Sequence, residues 1–220
     1  MPGLNAIKLF AVLVSLAVLA GCATPQPYDY SAFKESNPAS ILVLPPVNKS
    51  PDVKASYSVY SHITLPLGEA GYYVLPVAVV DETFKQNGLM NAEEIREVSP
   101  QKLHEIFAAD TVLYIDITEY GSSYMIVSSE VAVSATATLV DLRSGKELWK
   151  GVARASSAEQ QQNSGGGLAG LLITALVNQV INTLSDRGHE IAGIASHRLL
   201  SSNTLNGILP GPRARPTTAR

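Results

Sequence analysis

Cys22 has the most distinctive chemical setting in the sequence, and it is the only cysteine. It follows Leu-Ala-Gly at positions 19–21, a spacing that resembles the bacterial lipobox, in which the cysteine sulfur receives a diacylglyceryl group before cleavage. Lys8 and an apolar run over residues 9–20 precede it, which is the anatomy of an export signal. We therefore expect a lipoprotein signal peptide over residues 1–21 and lipidation of Cys22, with palmitate among the acyl chains.

The length of the apolar run and the residue after Cys22 bear on where the chain resides. The run is shorter than the ~20 residues of a comfortable bilayer span, which argues against an uncleaved anchor helix with Cys22 buried beside it. Residue 23 is alanine and not the aspartate that favours inner-membrane retention in the lipoproteins that this one resembles. We expect a lipid-anchored protein of the outer membrane that faces the periplasm.

Composition limits the chemistry of the mature chain. Once Cys22 is acylated, no thiol remains for a disulfide, a redox pair or a thiolate metal site. Removal of the leader removes Lys8 and leaves 15 of the 16 lysines and arginines against 19 aspartates and glutamates. This balance gives no support for a nucleic-acid partner.

Four histidines could in principle bind a metal or act as bases: His62, His104, His189 and His197. Their spacing lacks a metal-ligand pattern, because two helical histidines must be four residues apart to share a face. Serines are numerous, but the sequence contains no Gly-x-Ser-x-Gly elbow, so a Ser-His-Asp hydrolase would need residues from distant positions. We expect no catalytic residue, metal or cofactor. A cleft that places a serine within hydrogen-bond reach of a histidine would revive the hydrolase hypothesis.

Two other groups of residues could bind ligands or partners. The glycines at 165–167 could cradle a phosphate, but no Gly-Lys-Ser/Thr follows and no strand immediately precedes them, which favours a flexible linker. The acidic residues at 81–82 and 93–97 could serve acid-base chemistry. Clustered acids on a helix usually form a solvated face, and a docking surface is the alternative.

The first half of the chain predicts the elements that would position these side chains. Residues 40–46 are an apolar run closed by two prolines, which indicates a buried strand. Residues 57–70 can form one apolar helical face, although Pro66 interrupts it. Residues 72–80, rich in Tyr and Val, predict a second strand. Residues 81–108 are mostly helical in pattern, with an N-cap at Ser99.

The second half predicts more of the sheet. Residues 111–118 indicate a third strand that leads to a turn at 120–121. Strict alternation over residues 130–139 is the clearest strand signal, and turn residues join it to a partner strand over 147–155. Residues 168–181 predict an apolar helix of core length, packed on the sheet. The alternative is that this segment detaches and lines a membrane or an oligomer interface.

The order of these elements predicts an α/β fold with a mixed, partly parallel sheet and packed helices, as one domain over residues 40–200. Residues 22–39 are expected to be a lipidated tether of up to about 55 Å, at ~3.3 Å per residue. The open alternative is that Tyr28, Tyr30 and Phe33 pack onto the domain. Residues 201–220, which lack an apolar period, are expected to be a flexible tail.

Five segments resemble a family of bacterial outer-membrane lipoproteins of uncharacterised function. They read YDYSAFKES, ILVLPPVN, GYYVLPV, VDETFKQNGL and LVDLRSGK, and begin at residues 28, 41, 71, 80 and 139. The family's fold looks like the N-terminal domain of the Tol-Pal translocation protein and like the curli-secretion lipoprotein. The resemblance therefore implies a periplasmic α/β module that works by assembly, and it carries over no catalytic residue.

These observations together favour a non-enzymatic component or accessory of an envelope transport or secretion assembly. We expect its partners to be the membrane, through the lipid on Cys22, and other envelope lipoproteins or a second copy of the chain. No small-molecule substrate is indicated. The alternatives are a surface-exposed lipoprotein that binds host or environmental ligands and, with less support, an envelope hydrolase.

Overall fold

The computed structural model of the protein describes residues 28–124, 129–159, 184–202 and 204–215. Within these ranges the strands are β1 (Ser40–Val43), β2 (Val47–Asn48), β3 (Tyr73–Val74), β4 (Thr111–Tyr124), β5 (Ser129–Asp141) and β6 (Glu147–Ser156). The helices are α1 (Ser31–Ser36), α2 (Ala55–His62), α3 (Thr64–Glu69), α4 (Val77–Gln86), α5 (Ala92–Arg96), α6 (Pro100–Phe107) and α7 (Leu184–Leu200). None of the helices in the described ranges is long and apolar enough to cross a bilayer.

One sheet joins all of these strands in the order β3-β1-β4-β5-β6, with β2 also paired to β4. β1 runs parallel to both β3 and β4, whereas β4, β5 and β6 pair antiparallel. The expectation of a mixed, partly parallel α/β fold is therefore confirmed. The long hairpin of β5 and β6 follows the alternation that the sequence predicts, since Val131, Val133, Ala135, Ala137 and Leu139 are all buried.

Both faces of the sheet are covered at β1, which explains the continuous apolar character of this strand. Ile41 and Val43 face a core that includes α2, α3 and α7. Leu42 and Leu44 face a second core built with residues of α4, α5 and α6. The parallel half of the sheet is thus enclosed between two helical layers.

The helices between β1 and β4 follow the sequence signals closely. The predicted helix over 57–70 is two helices, α2 and α3, because Pro66 has no N–H to bond the carbonyl of residue 62. α6 begins at the predicted cap, where the Ser99 side chain accepts from the Lys102 N–H at 3.3 Å. The acidic residues Glu93, Glu94 and Glu97 are exposed, as a solvated helical face requires.

Two local expectations are wrong. Only Tyr73–Val74 of the predicted strand over 72–80 is extended, and α4 begins at Val77. Val80 and Phe84, four residues apart, are both buried, so helical spacing prevails over β propensity there. The predicted turn at 120–121 is also wrong, because β4 continues to Tyr124 with Gly121 paired to Ala132.

Packed residues extend on both sides of the expected domain at residues 40–200. Phe33 lies in the core, only 3% exposed, so the part of the expected tether that the structure describes belongs to the domain. Residues 204–215, here called the C-terminal segment, pack on the sheet, and Ile208 is fully buried. The backbone of this segment also bonds the turn before β3, since the N–H groups of Gly211 and Arg213 donate to Ala70 and Gly71 at 2.7 and 3.1 Å.

The C-terminal segment should therefore contribute to stability as a core element does. We expect Ile208→Ala to lower the free energy of unfolding by about 2–5 kcal/mol, because it removes buried methyl groups. The matched control Leu205→Ala, at a side chain 87% exposed, should change it by less than ~0.5 kcal/mol. Urea denaturation followed by the fluorescence of Trp149, the only tryptophan, measures both. Equal effects of the two variants would contradict the packing of this segment.

Candidate functional site

The predicted lipidation site lies outside the described residues, as do the glycines at 165–167 and the apolar segment at 168–181. Tyr28, the first of the described residues, comes six residues after Cys22. A fully extended chain of that length covers about 20 Å, at ~3.3 Å per residue. The link from Cys22 to the packed part of the chain is thus far shorter than the tether that the sequence suggested.

Tyr28 is held on the domain from two sides. Its backbone N–H donates to Asn206 Oδ1 at 3.3 Å, and its hydroxyl oxygen accepts from the Lys150 N–H at 3.0 Å. Its ring contacts that of Tyr30 at a centroid distance of 4.8 Å. Partial burial raises the pKa of the Tyr28 hydroxyl, so it stays protonated at physiological pH. The position where the chain leaves the domain toward Cys22 is therefore defined by β6 and the C-terminal segment.

A polar cluster at the junction of α2, β4 and α7 contains the side chains with the greatest catalytic potential in the described residues. This histidine cluster consists of Ser58, His62, Tyr120 and His189. Ser58 Oγ lies 3.0 Å from His189 Nδ1, and the Tyr120 hydroxyl donates to Ser58 Oγ at 2.9 Å. The rings of His62 and His189 lie 4.3 Å apart between centroids, tilted by 41°.

Small residues on α7 permit this close packing. A Cβ atom at Gly188 would lie 3.0 Å from the Tyr120 hydroxyl, and one at Gly193 would lie 3.3 Å from the His62 ring. A glycine inside a helix lowers the stability of that helix by about 1 kcal/mol relative to alanine. The close packing of α7 against the cluster offsets this loss. α7 is thus fitted to this cluster.

The environment of the cluster determines what it can do chemically. Burial, together with the charge of His189, lowers the pKa of His62 below its ordinary value of 6.5, so the neutral imidazole prevails at neutral pH. Ser58 and Tyr120 are only 8% and 7% exposed. A serine beside a histidine is the pair that nucleophilic catalysis requires, but here the serine is buried and accepts a hydrogen bond from the Tyr120 hydroxyl, whereas His189 is exposed.

The structure brings two of the four histidines together and places the other two apart. His104 bonds the carbonyl oxygen of Ala109 through Nδ1 at 2.8 Å, at the end of α6. His197 is exposed on α7, with Nε2 3.7 Å from a Glu69 carboxylate oxygen. Among the described residues, no three His, Cys, Asp or Glu side chains are grouped as a metal ion would require.

One signal for the cluster was present in the sequence. Ser58 and His62 are four residues apart on one helix and therefore share a face. The spacing between histidines does not reveal this serine–histidine pair. His189, in turn, lies 131 residues from Ser58 in the sequence. Only the packing of α7 against α2 brings His189 into the cluster.

A cavity of about 770 Å³ lies elsewhere, between α3 and the C-terminal segment. Leu65 and Glu69 line one side, and Arg213 and Arg215 line the other. The Arg213 guanidinium lies 5.7 Å from the centre of the Tyr73 ring. Two arginines can attract an anion, but Glu69 opposes them, so charge alone selects no ligand class.

Comparison with known proteins places the chain in a family. Residues 28–213 match the family model described as "Putative lipoprotein GNA1162-like". The chain is 54% identical over 203 residues to "Putative lipoprotein NMB1124/NMB1162" of Neisseria meningitidis serogroup B (strain ATCC BAA-335 / MC58), which covers 91% of this chain and 94% of the relative.

A solved structure supports the same assignment. The crystal structure of lipoprotein GNA1162 from Neisseria meningitidis is 55% identical and matches 66% of this chain and all of that chain, with a TM-score of 0.52. The match to the family model spans almost the whole described domain, including α1 and most of the C-terminal segment. The chain therefore belongs to the GNA1162-like lipoprotein family.

Proposed function

We propose that this lipoprotein is anchored in the outer membrane through acyl chains on Cys22 and acts, without enzymatic activity, as a component of a periplasmic transport or secretion assembly. The observation that carries the proposal is the short link between Cys22 and Tyr28. Two hydrogen bonds fix Tyr28 to the domain. A domain held within about 20 Å of its anchor is well suited to contacts with neighbouring envelope proteins.

The packing of the histidine cluster supports a role without catalysis. Serine hydrolysis needs a substrate carbonyl to approach the nucleophile with oxyanion donors nearby. Ser58 is buried under Tyr120, and the cavity between α3 and the C-terminal segment is lined by other residues. Ser58 and His189 thus meet the distance that would revive the hydrolase hypothesis, but not the requirement for a cleft.

The cavity near Arg213 favours a second candidate function, the binding of a host or environmental ligand by a surface-exposed lipoprotein. Its volume of about 770 Å³ is in the range of small-molecule sites. The two functions place the domain on opposite sides of the outer membrane. The side of the outer membrane on which the domain lies therefore distinguishes the two candidate functions.

Protease treatment of intact cells tests the topology. We expect the domain to be protected in intact cells and accessible only after the outer membrane is permeabilised. Immunoblotting of the full-length band, with a known periplasmic protein as the control, measures this. Loss of the band from intact cells would favour the ligand-binding candidate.

Affinity capture tests the assembly proposal itself. After cross-linking, capture of the lipidated protein should recover other envelope lipoproteins or a second copy of the chain.

Removal of the anchor should separate membrane attachment from folding. We expect Cys22→Ala to abolish acylation and membrane fractionation, while the domain keeps the fluorescence of buried Trp149, because Cys22 precedes the packed residues. Mass spectrometry of the amino terminus and fractionation after high-salt and carbonate washing measure the two effects. A Cys22→Ala protein that stays with the membrane through these washes contradicts the anchor proposal.

The histidine cluster should behave as a structural contact. We expect Ser58→Ala to lower the free energy of unfolding by about 1–3 kcal/mol, because Tyr120 and His189 lose a shared buried partner. Ser61→Ala on the same helix, where the exposed side chain bonds only the Ser58 carbonyl oxygen, should cost less than ~1 kcal/mol. A serine-directed fluorophosphonate should not label the protein. Labelling that Ser58→Ala removes would support hydrolysis instead.

A further inference from the structure

We propose that the β6 edge and the adjoining turn of the C-terminal segment lie against the membrane surface, with Val152 and Leu205 entering the lipid head-group region. This inference rests on the proposed anchoring of Cys22 and adds an orientation to it. The surface is defined by Tyr28, Lys150, Val152 and Leu205, and is called the anchor-proximal surface.

The position of Tyr28 selects this surface. Tyr28 bonds Lys150 of β6 on one side and Asn206 on the other, and Leu205 is the neighbour of Asn206. From Tyr28 the chain reaches Cys22 in six residues, or about 20 Å when fully extended. Any other face of the domain could meet the bilayer only if this link bent around the protein, which shortens its reach further.

The exposed side chains at this surface match a lipid interface. Leu205, next to Asn206, is 87% exposed, and Val152, two residues after Lys150 on β6, is 76% exposed. Lys150, whose N–H bonds Tyr28, is exposed and has no ion pair among the described residues. Asp29 is exposed beside Tyr28, and Glu147 contributes a second negative charge there, so net charge provides little attraction. The apolar side chains therefore carry the proposed contact.

The hydrogen bonds along the β6 edge disfavour a protein strand as the occupant. Tyr28 caps the outward N–H of Lys150, and the Arg198 guanidinium donates to the outward carbonyl of Arg154 at 2.9 Å. Only the backbone groups around Val152 remain between these two caps. Side chains that cap an edge in this way are a common protection against pairing with another strand.

A unique thiol can report the depth of this surface in the full-length lipidated protein. Because Cys22 is the only native cysteine and is acylated, Leu205→Cys supplies a single site for an NBD label. The matched control is Val53→Cys, at a side chain 86% exposed. Val53 adjoins Asp52, which lies near Gly121 of β4. Through the pairing of β4 with β5 and of β5 with β6, Gly121 lies level with a position six residues along β6 from Lys150, or about 20 Å away.

The labelled proteins are reconstituted into vesicles of phosphatidylethanolamine and phosphatidylglycerol, with and without nitroxide-labelled lipid. Flotation first establishes that each protein is anchored. We expect several-fold stronger quenching at position 205 than at position 53. Val152→Cys should resemble Leu205→Cys, and high salt should leave the quenching largely unchanged. Trp149 fluorescence confirms that each variant is folded.

The outcomes distinguish this inference from the proposal on which it rests. Flotation with equally weak quenching at positions 205 and 53 overturns the orientation and leaves the anchor intact. Failure to float overturns the anchor and the orientation together. Photo-cross-linking from the thiol at position 205 in native membranes should capture lipid, and capture of a protein at that position would show that a partner covers the surface instead.

Discussion

Three aromatic side chains hold an irregular stretch of backbone against the sheet, and the rest of the structure depends on this contact. The Trp149 indole donates to the Asn206 carbonyl oxygen at 2.9 Å, Tyr30 donates to Gly207, and Tyr72 donates to Leu209. Buried carbonyl groups outside helices and strands need partners, because an unpaired one costs about 1–3 kcal/mol. Aromatic donors satisfy them while their rings fill the core around Ile208. The two ends of the described chain are thereby fixed to each other and to β6.

This arrangement joins the anchor to the fold. Because Tyr28 and Tyr30 bond residues 206 and 207, the chain that leads to Cys22 departs from a fixed point. α7 packs on the same core through small residues, and it brings His189 beside Ser58, which is buried. The same packing that fixes the anchor end therefore removes the serine from solvent. This burial supports the proposed interaction role over a hydrolytic one.

The sequence predicted what local patterns determine and missed what distant residues determine. The β5 and β6 hairpin, the break before Pro66 and the cap at Ser99 all arise from neighbouring residues. Helix α7 was missed, because Gly188 and Gly193 weaken its helical signal although Ile191, Ala195 and Leu199 keep helical spacing. The C-terminal segment has no period of its own, and its donors lie up to 178 residues away in the sequence. The histidine cluster likewise needed the packing of α7 on α2.

The proposed short link from Cys22 to the membrane also changes how strong a protein contact must be. Lipoproteins held within a thin layer beside one bilayer meet at an effective concentration set by their links, so weak contacts suffice for assembly. Exposed apolar side chains occur on several elements of this domain, as at Tyr57 of α2, Val79 of α4 and Val152 of β6. Stable partners in free solution would need a larger continuous apolar patch. A surface of this kind is adequate for a protein that meets its partners in two dimensions, and removal of the lipid should weaken those contacts without any change in the surface itself.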